Sequence, residues 1–352
     1  MAVEENMLER MEYRLVLVEP ESRKVRVLGG NEGWRLPRVR VPMHTRPAEQ
    51  VRKASKSAWG LDVLILDFLP SRDTSPRVAV AELLGPSPSD EFTLVAPASI
   101  GIDALSEQQR AHLAEVLGGQ TKSPFSRVGW IDEAVAWLES ATQKKLSSKS
   151  RIHQLNAGGA FSLLRFGMED GRRYWLKATG EPNAHELSVT CLLSELCGDY
   201  LPELIASRPS WNAWLTSEET TQVTNLPTDP LKLFQLLEDA VESMAELQAR
   251  TAGHLSEILS AGAFDQRIEV FQRHSEAVFD YLEEAMGLQI STKVPQLSKS
   301  SLRESRTLFE DVCHRMEDLR MPQTIVHGDL NPGNILSGDG RLAAIPIGQF
   351  RC

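Results

Sequence analysis

No stretch of this 352-residue chain constrains its fold as tightly as Ile325 to Leu336. Two apolar pairs, Ile325-Val326 and Ile335-Leu336, bracket the string His-Gly-Asp-Leu-Asn-Pro-Gly-Asn, His327 to Asn334. Apolar pairs of this kind are strand-like, whereas Gly, Pro, Asn and Asp together favour a turn. The expectation is a short polar loop pinned at both ends by buried pieces, with the Asp329 carboxylate and the Asn334 amide on it. A phosphoryl-transfer site needs a carboxylate to orient the attacking hydroxyl and an amide oxygen to hold Mg²⁺ on the nucleotide phosphates. A plain polar turn would draw on the same residue types.

What precedes this loop changes character along the chain. Tyr13 to Val18, Val25 to Leu28 and Val63 to Leu66 read as strands separated by turn residues, with a helical pattern from Pro47 to Trp59 stopped at Gly60. Leu105 to Leu117 reads as a second helix ending at Gly118-Gly119, and Gly129 to Leu138 carries helical spacing. Ile152 to Leu155, Phe161 to Phe166 and Arg173 to Ala178 then read as three short strands, the last two joined at Asp170-Gly171. Glu186 to Cys197 reads as a helix, and Pro230 to Arg250, Leu255 to Met286 and Leu302 to Leu319 are helical in pattern. The expected division is residues 1–120, a connector over 121–134, and a second domain over 135–352.

A hydrophobic fraction of 41% is that of a chain with a sizeable core, and the formal net charge of −10 argues against a nucleic-acid partner held through phosphates. Cys191, Cys197, Cys313 and Cys352 form no CxxC pair and no metal-ligand spacing, which points to free thiols. The charged start lacks the apolar core of a signal peptide and no run is long enough to span a bilayer, so no membrane partner and a cytoplasmic location are expected.

The HGDLNPGN string resembles the catalytic loop of the aminoglycoside phosphotransferase and choline kinase superfamily, which shares the protein-kinase fold. That resemblance implies a bilobal α+β domain with a small β-rich N-lobe and a helical C-lobe. It implies transfer of the ATP γ-phosphate, with Mg²⁺, to a hydroxyl of a small molecule. By position it makes Asp329 the catalytic base, Asn334 a Mg²⁺ ligand and His327 a buried prop for the loop. Leu155 to Phe161 falls where the phosphate loop of that family lies, and the backbone at Gly158 and Gly159 is free of Cβ atoms that would hold phosphate away. Lys177, near the end of the third strand of the small lobe, corresponds to the lysine that holds the α- and β-phosphates. Glu186, opening the next helix, is its expected partner and also a first-turn acid favoured by the helix dipole; Glu181 and Glu195 are less well placed.

The chain departs from the family where a metal-chelating Asp follows the catalytic loop: Pro346 occupies that position, and proline has no ligating side chain. The family also continues through further helices, so the C-lobe is expected to be incomplete at Cys352. A pseudokinase-like protein and a change of reading frame or early stop both account for this ending. Loss of one anionic ligand is expected to weaken Mg²⁺ binding severely.

Gly33-Trp34-Arg35-Leu36-Pro37, the helix-like Ala48 to Ala58 and Trp59-Gly60-Leu61 resemble an α/β Nudix-type domain. Members of that family carry metal-binding acids on the helix for diphosphate hydrolysis, and at the matching positions this chain has Lys53, Ala54, Ser57 and Ala58. Glu49 does not replace a carboxylate cluster. The N-terminal region is therefore expected to bind or scaffold. A phosphotransferase, a catalytically inactive nucleotide- or ligand-binding protein and a residual Nudix-type hydrolase stay open, and Trp211 and Trp214 are expected in packing between elements.

Overall fold

A computed structural model describes residues 10–29, 33–43, 45–70, 77–85, 91–101, 104–218, 221–222, 228–289, 295–328, 330, 335–338, 341–342 and 350–351. The fold is mixed α+β and divides into two compact units, residues 1–187 with 202–221 and residues 188–201 with 222–352.

The first unit opens on a six-stranded sheet: β1 (Arg10–Val18), β2 (Val25–Leu28), β3 (Arg38–Pro42), β4 (Val63–Leu69), β5 (Arg77–Leu83) and β6 (Phe92–Val95). Its order is β4-β5-β1-β2-β6, with β3 paired to the N-terminal half of β1. β1 and β5 run parallel and the other neighbours antiparallel. Leu15 to Val18 of β1, Val63 to Leu66 of β4 and Val78 to Ala81 of β5 are apolar at every position because both faces of the sheet are covered there. Leu15, Leu17, Ile65, Ala79 and Ala81 pack with Ala48 and Val51 of helix α1 (Pro47–Trp59). The alternate residues Val16, Val18, Leu64, Leu66, Val78 and Val80 enter a second core. There they join Leu113 and Val116 of α2 (Glu107–Gly118) and Trp130, Ile131, Ala134 and Leu138 of α3 (Trp130–Thr142).

That second core does not stop at α3. It continues into a five-stranded antiparallel sheet made of β7 (Ile152–Asn156), β8 (Phe161–Gly167), β9 (Arg173–Thr179), β10 (Leu204–Arg208) and β11 (Ala213–Ser217), in the order β10-β11-β9-β8-β7. The cross-strand row Leu164, Leu176, Leu215 belongs to the same cluster as Val16 and Leu64. Aromatic contacts reinforce the join: the Trp211 ring lies 5.8 Å from that of Trp130 and 5.9 Å from that of Trp137. Trp211 and Trp214 are both buried, in line with a packing role.

Two polar bridges tie the sheets together. β4 bulges between Ile65 and Asp67, and the buried amide of Gln154 on β7 serves the backbone there. Its Nε2 donates to the Ile65 carbonyl at 2.7 Å, and its Oε1 accepts from the Ile65 N–H at 2.8 Å. Arg52 on α1 donates to the Val63 carbonyl at 2.6 Å and to the Ile152 carbonyl at 2.8 Å. Burial lowers its guanidinium to about 10.

The second unit is mainly helical. Helix α4 (Glu186–Cys197) runs into it and is followed by α5 (Pro230–Thr251), α6 (Leu255–Ser260), α7 (Ile268–Leu288) and α8 (Lys299–Asp318). Val189, Leu193, Leu247, Ile258 and Ile325 form its core. The helical pattern from Leu255 to Met286 is broken in two, because Gly262 takes φ +102° and Asp265 pairs with Arg267 at 2.6 Å in the connecting turn. Near the C-terminus Val326–His327 pairs antiparallel with Phe350–Arg351, and Leu336–Gly338 with Arg341–Leu342. Among the described residues, Cys197 and Cys313 are buried free cysteines. No helix among the described residues is long and apolar enough to cross a membrane.

Candidate functional site

The period-two alternation of β9 sends Leu176 and Ala178 into the core and Lys177 to the opposite face. Register places Leu163 of β8 and Trp214 of β11 directly beside Lys177 on that face. The Lys177 ammonium meets the Glu186 carboxylate at 2.6 Å, with the two side chains 16% and 6% exposed. Two rings also lie beside it, Phe161 at 5.1 Å and Trp214 at 5.4 Å from Nζ to ring centroid. A cation held by one carboxylate and two ring faces has few rotamers open to it, and its charge is partly desolvated. Phe161 and Trp214 are contributions that the linear sequence does not announce, since they reach Lys177 only through strand register.

The turn between β7 and β8 is held from outside itself. Gly158 adopts φ +121°, a conformation that side chains rarely accept. The Gly159 carbonyl accepts from the Ser123 hydroxyl, and the Ala160 carbonyl accepts from the Gly180 N–H at 3.0 Å. Gly180 has no room for a side chain, since a Cβ there would lie 2.2 Å from the Gly159 oxygen. Among the described residues, the N–H groups of Gly158, Gly159 and Ala160 make no hydrogen bond. A run of unengaged backbone N–H groups on a glycine turn is a recurrent seat for anions.

The loop that constrained the sequence reading is described only at its margins. Ile325 and Ile335 are both buried, which anchors the apolar borders, and Gln248 donates to the Ile325 carbonyl at 2.9 Å. His327 is buried and lies in the short ladder opposite Phe350. Asp329, Asn334 and Pro346 lie outside the described residues. Of the less favoured acids, Glu181 is exposed just ahead of α4 and Glu195 lies two turns further along it.

On α1, where the Nudix resemblance would want acids, Lys53 forms an exposed ion pair with Glu49 at 2.7 Å. Among the described residues no group of three or more His, Cys, Asp or Glu side chains is arranged to hold a metal ion.

No protein-family model and no curated protein matches the chain. Solved structures do resemble it in part. A macrolide 2′-phosphotransferase type I is 17% identical over 63% of this chain and 72% of its own, with a TM-score of 0.42. A streptomycin-ATP ternary complex of APH(2″)-IIa is 14% identical over 62% and 71%, at 0.43. An ADP-ribose pyrophosphatase from Streptococcus suis is 18% identical over 32% of this chain and 93% of its own, at 0.24. The structural neighbours of this α+β chain are thus aminoglycoside and macrolide phosphotransferases over its larger part and Nudix-like hydrolases over its N-terminal part.

Proposed function

We propose that this chain is a phosphotransferase of the small-molecule kinase type, which moves the γ-phosphate of ATP to a hydroxyl of a small molecule. The observation that carries this reading is the Lys177–Glu186 ion pair at 2.6 Å, set between the third strand of an antiparallel five-stranded sheet and the helix that follows it. A strand lysine oriented by a helix glutamate is the device that kinases use to hold the α- and β-phosphates. The turn at Gly158 and Gly159, with its unengaged N–H groups, suits the same polyanion. In this reading Asp329 takes the hydroxyl proton, Asn334 supplies an oxygen to Mg²⁺, and His327 supports the loop from its buried position.

Mg²⁺ neutralises the phosphates in such transfers. The carboxylate that would complete its ligand set is replaced by Pro346, which leaves Asn334 as the remaining ligand carried over from the resemblance. Pro346 therefore favours a second reading, a nucleotide-binding protein that has lost transfer. The two are separated by measuring ATP binding and phosphate transfer together on the full chain, with and without Mg²⁺. Binding that needs Lys177, with transfer abolished in Asp329→Ala, supports the phosphotransferase. Binding that needs Lys177 with no transfer to any hydroxyl acceptor supports the second reading. ATP binding unchanged in Lys177→Met sinks both.

A further inference from the structure

Helix α7 contributes little to the core of the second unit. Of its 21 residues only Ser275 is buried, and the apolar core built on Val189, Leu193 and Leu247 takes no side chain from it. Its contacts are with α8: the Phe279 ring lies 6.0 Å from that of Phe309, the Ser275 hydroxyl donates to Glu310 at 3.5 Å, and Glu283 pairs with Lys299. Ser275, Phe279 and Glu283 are four residues apart and so share one face of the helix.

A second stripe runs along α7 about a third of a turn away from that face. Phe271, Val278 and Ala285 recur every seven residues, and His274, Tyr281 and Leu288 follow each of them by three. This alternation of three and four is the spacing of the core positions of a coiled coil. Its large members are open to solvent, Phe271 at 44%, Val278 at 48%, Tyr281 at 69% and Leu288 at 73% exposed. A continuous apolar stripe left bare on a folded chain marks a surface that another element covers.

The residues of the stripe select what covers it. Laid antiparallel on a second α7, the stripe sets Phe271 against Leu288, Val278 against Tyr281 and His274 against Ala285, each layer occurring twice about a two-fold axis. Parallel pairing would stack Tyr281 on Tyr281 and leave Ala285 facing Ala285, an overfilled layer beside an empty one. The rim agrees with the antiparallel order. Glu284 comes opposite Ala277 of the second copy, one turn from that copy's Arg273, and neither Arg273 nor Glu284 has an ion pair within the chain among the described residues. The like charges of Asp280 near the axis and the shortness of the stripe keep such a pairing weak. We propose that α7 is a self-association surface, through which two copies of this chain pair antiparallel along the stripe from Phe271 to Leu288.

Sedimentation velocity of the full chain over a range of concentrations tests this. The mass is expected to rise with concentration from that of one chain to that of two. Val278→Asp puts a carboxylate into both central layers and is expected to hold the mass at one chain throughout. Its helicity by circular dichroism is expected to stay unchanged, because Val278 is already half exposed in the single chain. Arg273→Glu or Glu284→Arg alone sets like charges together at two symmetric contacts and is expected to weaken the dimer by about tenfold, whereas the two changes combined restore it. Both residues are exposed, so this exchange leaves the fold of the single chain alone and decides the matter should Val278→Asp fail to fold. One-chain mass at every concentration, a dimer that survives Val278→Asp, or charge changes that do not compensate one another overturns the proposal.

Discussion

Glu82 offers the sharpest test of how the first unit is held together. It lies on β5, 1% exposed, and its Oε2 accepts from the Gly129 N–H at 2.6 Å, at the residue that caps α3. Burial raises its carboxyl from 4.5 to about 7; the Gly129 hydrogen bond opposes this, Asp132 adds to it, and Lys149 opposes it. The folded chain therefore holds the proton more tightly than the unfolded chain. The stability this contributes is fully present below pH 4.5 and is lost as pH rises through 7. A shift from 4.5 to about 7 corresponds to about 3 kcal/mol. Glu82→Gln keeps an oxygen for Gly129 but cannot ionise. Its stability relative to the native chain is expected to climb by about 3 kcal/mol between pH 4 and pH 9, near 6 °C in melting temperature for a unit of this size. Paired melts across that range measure the difference and cancel every titration common to both proteins. Parallel curves would refute the argument, since they would mean that Glu82 ionises in the folded state as it does in water.

Lys177→Met removes the 2.6 Å partner of the Glu186 carboxylate and is expected to cost about 3 kcal/mol, whereas Lys177→Met with Glu186→Gln recovers most of that loss in urea denaturation. Gln154→Leu strips both backbone partners from Ile65 at the β4 bulge and is expected to cost about 3 kcal/mol by the same measurement. Gly180→Ala drives a Cβ to 2.2 Å from the Gly159 oxygen and is expected to lower the melting temperature by several degrees, while Gly85→Ala, with no neighbour within 4 Å, leaves it unchanged.

The parts of this fold that are legible in sequence are those whose own side chains declare them. Leu15 to Val18 of β1 and Val63 to Leu66 of β4 are continuous apolar runs, α1 ends on a glycine, and Asp170-Gly171 joins β8 to β9. The meeting of Lys177 with Glu186 is legible too, because a strand end and the helix start after it are close in the chain. β5 is harder: Ala79 and Ala81 have little strand preference, and the strand exists because helices cover both its faces. β10 and β11 are five residues each around Pro209 to Asn212, too short for a period to show. Trp214 reaches Lys177 only through the register of β11 on β9, which no linear pattern encodes. The cleft lined by Asp67, His112, Ser126 and Asn212 is invisible for the same reason, since its walls come from six separate stretches of chain.

Arg52 shows what helix α1 does in this fold. Its half-buried guanidinium reaches carbonyls on β4 and on β7, so α1 ties together the two sheets. The core makes the same tie with apolar surface: Val16 and Leu64 on one side, Leu138 between, and Leu164 and Leu176 on the other form one cluster. A chain cut between residues 120 and 135 would expose that cluster on both fragments. The six-stranded and five-stranded sheets are thus expected to unfold together, in one transition. Hydrogen exchange under mild denaturant tests this, because amides of β1 and of β9 should share one opening free energy. Exchange of β9 at much lower denaturant than β1 would mean that the continuous core does not couple them, and that the N-terminal sheet is an independent module after all.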